Sequence, residues 1–172
     1  MVTGPGSAGK TCLIHRLKSS SFLSDSMQTN GLDVTTTTNS AGVDFMFYDF
    51  GGQAVYSSTH RLFLRSRAVF LVAWNPRTDA SYHNYARDVL NANDDAPLIF
   101  VSTHADDSNS ALTSQALEVL KSSYGSNFRG YVHVSAKTGA GMDDLSKVRA
   151  ASGERRAPTR TPPPLTHLLV LA

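Results

Sequence analysis

An octapeptide near the amino terminus, Gly4-Pro5-Gly6-Ser7-Ala8-Gly9-Lys10-Thr11, constrains this chain more than any other segment. It matches the phosphate-binding loop pattern G-x-x-x-x-G-K-[ST] at every fixed position. In that pattern the backbone N–H groups point at phosphate oxygens, the lysine adds positive charge near the β- and γ-phosphates, and the hydroxyl holds Mg²⁺. Such a loop follows a buried strand and opens a helix, so the octapeptide predicts an α/β fold that binds a nucleoside triphosphate.

The three glycines of this octapeptide also fit two other motifs, the dinucleotide-binding fingerprint and the glycine loop of protein kinases. Neither motif gives Lys10 and Thr11 a role. The first expects an acidic residue at the end of the second strand, whereas Asp33 begins a predicted strand. The second expects a V-A-I-K-like lysine and an H-R-D loop, and neither occurs in the sequence. We therefore favour the phosphate loop.

Length and composition indicate one domain, because 172 residues with 41% hydrophobic content suffice for a single packed core. The only cysteine, Cys12, rules out a disulfide within the chain and predicts a reducing, cytoplasmic location. No apolar run approaches the ~20 residues that span a membrane. The net charge of +2 arises beyond residue 148, where four arginines face one glutamate, so the remainder sums to −1. Bulk charge therefore gives no case for nucleic-acid binding.

Hydrophobic periodicity predicts strands that alternate with helices. A polar strand and an alternating strand form a predicted hairpin at 33–39 and 43–48. Continuous apolar runs, typical of strands buried on both faces, lie within 67–74 and 97–103, and a short last strand covers 131–134. Helices are predicted at 10–20, 80–93 and 111–124. This alternation indicates a doubly wound, mostly parallel sheet of the P-loop NTPase type.

Both ends of the chain depart from that fold. Only three residues precede the phosphate loop, so the first strand is predicted to be largely missing, and the isolated chain is expected to fold poorly. A closing helix starts near Met142 and extends at best to about Ser152. We predict an incomplete domain at 1–148 and a disordered Pro/Arg-rich tail at 149–172. The apolar run 165–171 is a candidate to fill the vacant strand position.

Four further segments occur in the order found in guanine-nucleotide-binding domains: Thr29-Asn30-Gly31, Asp49-Phe50-Gly51-Gly52-Gln53, Thr103-His104-Ala105-Asp106 and Ser135-Ala136-Lys137. Together with Thr59-His60 and Arg67-Ala68-Val69, they make residues 2–148 resemble the Roc domain (Ras of complex proteins) of the Roco family, which includes the leucine-rich-repeat kinases. The resemblance implies a small-GTPase-like fold, GTP and GDP as ligands, and Mg²⁺. His104 departs from the usual lysine of the base-recognition segment.

The chemistry of these positions indicates roles for their side chains. The Asp49 carboxylate follows a strand and suits Mg²⁺, and Gln53 can orient an attacking water. Asp106 can accept two hydrogen bonds from guanine, which adenine cannot offer. The expected metal ligands are Thr11, Thr29 and Asp49. The expected catalytic residues are Lys10, Gly52 and Gln53. The expected nucleotide contacts are Gly4, Ser7, Ala8, Gly9, Lys10, Thr11, Cys12, Thr29, Thr103, His104, Asp106, Ser135, Ala136 and Lys137.

Two functions remain open from the sequence. The first is a GTP-hydrolysing switch with a slow intrinsic rate, since no arginine is clearly placed as a catalytic finger. The second is a non-catalytic interaction or dimerisation fragment with weak or no nucleotide binding, which the shortened ends favour. The resemblance implies a homodimer or neighbouring domains of a larger Roco protein as partners.

Overall fold

The computed structural model describes residues 1–24, 32–38, 44–50, 64, 68–78, 81–107 and 111–154. Its strands are β1 (Val2–Thr3), β2 (Leu32–Thr38), β3 (Asp44–Phe50), β4 (Phe70–Trp74), β5 (Leu98–Ser102) and β6 (Phe128–His133). Its helices are α1 (Lys10–Ser19), α2 (Tyr82–Ala92), α3 (Ser114–Tyr124) and α4 (Met142–Glu154). A short 3₁₀ turn, Gly125–Asn127, joins α3 to β6.

The six strands form one sheet in the order β2-β3-β1-β4-β5-β6. The β2–β3 pair is antiparallel, as the predicted hairpin requires, and the other pairs are parallel. The predicted α/β class and mostly parallel sheet are confirmed. In this arrangement the loops that follow β1, β3, β4, β5 and β6 can reach one edge of the sheet, where doubly wound folds bind their ligands.

The apolar runs of β4 and β5 are continuous because both faces of these strands are buried. In β4, Phe70, Val72 and Trp74 pack on the side of α2 and α3, whereas Leu71 and Ala73 pack on the side of α1 and α4. All five β4 residues are buried. Two apolar layers therefore hold the centre of the sheet and fix the starting points of the loops beyond it.

The first strand is short, but it is not missing. Val2 pairs with Asp49 of β3 and with Leu71 of β4, and Thr3 pairs with Val72, so β1 lies between the two neighbours that require it. The position predicted to be vacant is thus filled by the residues that directly precede the phosphate loop. The run 165–171, which was the candidate to fill that position, lies outside the described residues.

The last helix is also more complete than the sequence predicted. It has 13 residues and ends at Glu154, so residues 149–154 belong to the helix and not to the predicted tail. Its second half packs on β6, where Val148 lies so close to Gly130 that an added Cβ would come within 2.7 Å of Val148 Cγ1. The first proline after it is Pro158, which leaves room for the extra turn.

Within the described ranges, no helix has both the length and the apolar character required to cross a membrane.

Candidate functional site: a phosphate loop and an adjacent pocket

The loop between β1 and α1 turns through residues with positive φ. Ser7 has φ 58° and Gly9 has φ 78°, and Gly9 is the N-cap of α1. Left-handed residues of this kind turn successive N–H groups toward one point and create an anion-binding concavity. The first turn of α1 contains no acidic residue, and its N-cap makes no side-chain hydrogen bond, so its amides remain oriented toward the loop.

Gly4 brings the start of the loop against the backbone of β4. Its φ is 146°, and a Cβ at this position would lie 1.9 Å from the Ala73 carbonyl oxygen. Both the conformation and the contact therefore require glycine. This close approach places the loop directly over the end of the central strands.

Lys10 is folded inward in the loop. Its Nζ donates hydrogen bonds to the carbonyl oxygens of Gly4 at 3.0 Å and Pro5 at 2.8 Å, and the residue is 6% exposed. Burial lowers the pKa of Lys10 from 10.5 to about 8, and the Asp49 carboxylate opposes this shift. The predicted cation is thus inside the loop, held by carbonyl oxygens that an incoming phosphate could replace.

The lowered pKa of Lys10 predicts that the nucleotide-free chain gains stability as the pH rises from 8 to 10. The unfolded chain binds more protons than the folded chain between the folded pKa near 8 and the unfolded value of 10.5, so stability increases with pH in this window. We expect a gain of about 2 kcal/mol in urea unfolding from pH 8 to pH 10. Measurements stop at pH 10 because burial raises the pKa values of Tyr82 and Tyr124, which act in the opposite direction above it.

The matched control for this pH dependence is Lys10→Met, which removes the titrating amine but keeps an unbranched side chain. We expect the pH 8 to 10 gain to disappear in this variant. A variant that gains as much stability as the parent would show that another group causes the effect.

Thr11 and Asp49 lie together beside the loop. The Thr11 hydroxyl donates to Asp49 Oδ2 at 2.6 Å, and Asp49 is 3% exposed at the β3 position that pairs with Val2. A hydroxyl and a carboxylate are hard oxygen donors, the set that Mg²⁺ prefers. The residues present therefore fit the expected metal, with Thr11 and Asp49 on the described side of its site.

A pocket of about 130 Å³ lies beside the phosphate loop. It combines the start of α1 with the loops that follow β5 and β6. Its lining residues are Gly9, Cys12, Leu13, Phe22, Thr103, His104, Asp106, Val134, Ser135, Ala136 and Lys137. Eight of these were predicted nucleotide contacts in positions scattered through the sequence. The fold brings them to one place because their strands end at the same edge of the sheet.

Asp106 and Ser135 join the two loops of the pocket. Ser135 Oγ donates to Asp106 Oδ1 at 2.7 Å, and this hydrogen bond is the main reason that the pKa of Asp106 lies below its ordinary value. Backbone bonds reinforce the link, since Ala105 N donates to the Val134 carbonyl at 3.0 Å. The carboxylate stays ionised and holds one oxygen in a fixed position at the mouth of the pocket.

Thr103 lines the pocket, as a predicted nucleotide contact would, and its hydroxyl also contacts the protein backbone. This hydroxyl lies 3.0 Å from the carbonyl oxygens of both Ala8 and Trp74. The same hydroxyl lies 2.9 Å from His104 Nδ1. Thr103 is 5% exposed, and it connects the phosphate loop, the end of β4 and the base-recognition segment. Its hydroxyl thus holds two parts of the site together.

His104 stands where the base-recognition segment usually has a lysine. Its backbone has φ 64°, and its ring lies beside Gly9. Burial and Arg77 lower the pKa of His104, against the opposing effect of Asp106 and Asp107. The histidine therefore presents a neutral ring to the pocket at physiological pH.

Phe22 is the aromatic among three pocket residues that the sequence analysis did not predict; the other two are Leu13 and Val134. It lies just beyond α1, in a polar stretch predicted as a loop, and it is 42% exposed. A lone aromatic in such a stretch is the signal that could have identified it, because a loop gives an exposed ring no core to enter. Thr29, Gly52 and Gln53 lie outside the described residues.

The sheet order, the phosphate loop and the pocket between the β5 and β6 loops define the class of this domain: its fold is that of the small-GTPase-like P-loop proteins. Residues 1–106 match the family described as "Ras of Complex, Roc, domain of DAPkinase". The chain therefore belongs to the Roc family.

Similar proteins support this assignment. The chain is 30% identical over 109 residues to the probable serine/threonine-protein kinase pats1 of Dictyostelium discoideum, covering 60% of this chain and 3% of that protein. It is 28% identical to the probable kinase roco11 of the same organism, covering 97% of this chain and 12% of that protein. The Methanosarcina barkeri Roco2 RocCORdC structure bound to GDP superimposes with a TM-score of 0.73 at 25% identity, over 90% of this chain and 47% of that one. The chain thus spans less than half the length of these relatives.

Proposed function

We propose that this chain binds GTP and GDP together with Mg²⁺, hydrolyses GTP slowly, and acts as a switch within a larger Roco-type protein. The observation that carries the proposal is the Asp106 carboxylate, fixed by Ser135 at a pocket whose other wall is the phosphate loop. The similar Methanosarcina barkeri Roco2 structure is bound to GDP, which supports a guanine nucleotide as the ligand.

Base choice follows from the carboxylate. Guanine presents a ring N–H and an exocyclic amino group side by side, and an ionised carboxylate accepts a hydrogen bond from each. Adenine lacks this donor pair. Because the Ser135 hydroxyl already holds the Asp106 carboxylate in place, guanine binding loses little entropy by ordering that side chain. The Ala136 backbone and the Lys137 stem are proposed to complete the contacts with the base.

The phosphate end uses the loop amides and Lys10, whose ammonium would exchange the Gly4 and Pro5 carbonyls for phosphate oxygens. Mg²⁺, when bound, neutralises developing phosphate charge, and Thr11, Asp49 and Thr29 are proposed to hold it. Gln53 is proposed to orient the attacking water, and the Gly52 N–H to contact the γ-phosphate. The relatives' greater length supports neighbouring domains, or a second copy, as partners.

Asp106→Asn tests the proposed base recognition. The amide keeps an oxygen for Ser135 but replaces one acceptor by a donor, which suits the second carbonyl of xanthine. We expect GTP affinity to fall at least about 100-fold, because two charged hydrogen bonds are weakened, and XTP affinity to rise. Calorimetry with GTP, XTP and ATP, with and without Mg²⁺, measures both effects.

Gln53→Leu is the control for this test. We expect it to retain the preference for GTP and to slow Mg²⁺-dependent phosphate release. A folded parent chain that binds ATP as tightly as GTP would refute the proposal. A folded parent that binds no nucleotide would favour the non-catalytic interaction module.

A further inference from the structure

A hydrogen-bond network centred on the Ser102 hydroxyl lies at the ends of β5 and β6, next to the loops that line the pocket. Ser102 Oγ, at the end of β5, lies 2.7 Å from both Tyr131 OH and His133 Nδ1 of β6. Tyr131 OH also accepts a hydrogen bond from the backbone N–H of Leu112 at 2.9 Å. Ser102 is completely buried, whereas Tyr131 and His133 are half-buried, so the Ser102 side of these bonds is shielded from water.

The network fixes both ends of the segment that carries Asp106. Ser102 directly precedes this segment, and Leu112 stands just before Thr113, the N-cap of α3. Tyr131 bonds to both of these ends. The backbone hydrogen bonds of the sheet hold only the Ser102 end of this segment, because Leu112 lies outside any strand.

The same network also holds the second loop of the pocket. His133 is the last residue of β6 and directly precedes the segment that contains Ser135. The hydroxyl of Ser102 therefore joins the starting points of both base-contacting loops, one layer below the Ser135–Asp106 bond. We therefore expect a shift at Ser102 to move the Asp106 carboxylate and the Ser135 hydroxyl relative to each other.

We propose that Tyr131, acting with Ser102, is a positioning residue for purine recognition: its hydroxyl sets the place of the Asp106 carboxylate without touching the nucleotide. This inference rests on the proposed function. Removing the hydroxyl leaves the Leu112 N–H without its Tyr131 acceptor and Ser102 without one partner. The aromatic ring, which packs 6.0 Å from Trp74, remains in place in a phenylalanine variant.

The test is Tyr131→Phe, with binding of GDP and IDP measured in parallel. Inosine lacks the 2-amino group but keeps the ring N–H, so the GDP/IDP affinity ratio reports on the 2-amino contact with Asp106. We expect GDP affinity to fall about tenfold and IDP affinity, which depends on one contact with Asp106 instead of two, to fall only about threefold, so that the GDP/IDP ratio decreases. Amide hydrogen exchange of the nucleotide-free chain should speed up at Leu112 and at Ala105, which donates to Val134.

Tyr124→Phe is the matched control, because its hydroxyl bonds to His83 Nδ1 at 2.9 Å on an exposed surface outside the pocket. We expect the control to retain the parent GDP/IDP ratio. Ser102→Ala removes the central hydroxyl and should reproduce the effect if Tyr131→Phe folds poorly. An unchanged GDP/IDP ratio, or unchanged exchange at Leu112 and Ala105, would overturn the inference. A parent chain that binds GDP and IDP equally would instead refute the proposed base recognition, and the exchange data would still decide the positioning role.

Discussion

Gly4→Ala is expected to lower the free energy of unfolding by about 4 kcal/mol or more, which is a large part of the roughly 5–15 kcal/mol available to a domain. The new Cβ would lie 1.9 Å from the Ala73 carbonyl oxygen, and neither backbone can move without breaking the β1–β4 pairing. The φ of 146° adds backbone strain. Urea unfolding followed by circular dichroism measures the loss.

Gly125→Ala is the matched control for this substitution. Gly125 also has a positive φ, of 46°, but an added Cβ there meets nothing within 4 Å. We expect it to cost about 1–3 kcal/mol, the strain of the backbone conformation alone, and thus less than Gly4→Ala. Equal losses in the two variants would mean that the contact with Ala73 is relieved easily and does not anchor the loop.

Lys10→Met is expected to weaken GTP and GDP binding by more than about 100-fold while leaving the nucleotide-free chain at least as stable as the parent at pH 7. The ammonium is desolvated in the loop, as its pKa of about 8 indicates, so removing it relieves a cost in the free chain. Once phosphates arrive, the same charge becomes the main attraction. Calorimetry with GDP and thermal unfolding without nucleotide measure the two effects.

Lys147→Met serves as the control, because Lys147 is exposed on α4 and pairs with Asp144 at 3.1 Å. It removes one positive charge without touching the loop, and we expect GDP affinity to stay within about twofold of the parent. If Lys10→Met bound GDP within about threefold of the parent, the loop lysine would not be the phosphate-binding cation.

The strands could be predicted where the hydrophobic pattern of a segment matches the burial of its faces in the fold. The apolar runs of β4 and β5 and the alternation in β3 identified their strands, because each pattern reflects how many faces of the strand are buried. The two ends were not predictable in this way. Whether Val2 and Thr3 suffice as a strand depends on the pairing that β3 and β4 offer, and the length of α4 depends on packing against Gly130.

The candidate site could be predicted at positions where a motif contains a side chain suited to one kind of ligand. The motifs indicated Lys10, Thr11, Asp49 and Asp106, and the structure places them around one cavity and one loop. The sequence did not indicate that the Thr103 hydroxyl also bonds to the phosphate loop, because that contact joins residues 95 positions apart and depends on the fold.

The path of α4 has a practical consequence. This helix starts beside the loop after β6 and ends near Phe128, at the opposite end of that strand, where Phe128, Arg129, Val148, Ala151 and Ser152 surround a small cavity. The end of this helix at Glu154 therefore lies on the side facing away from the pocket beside the phosphate loop. A surface tether or fluorescent label attached at Glu154 would therefore lie away from the mouth of that pocket, and we expect it not to obstruct the proposed nucleotide-binding measurements.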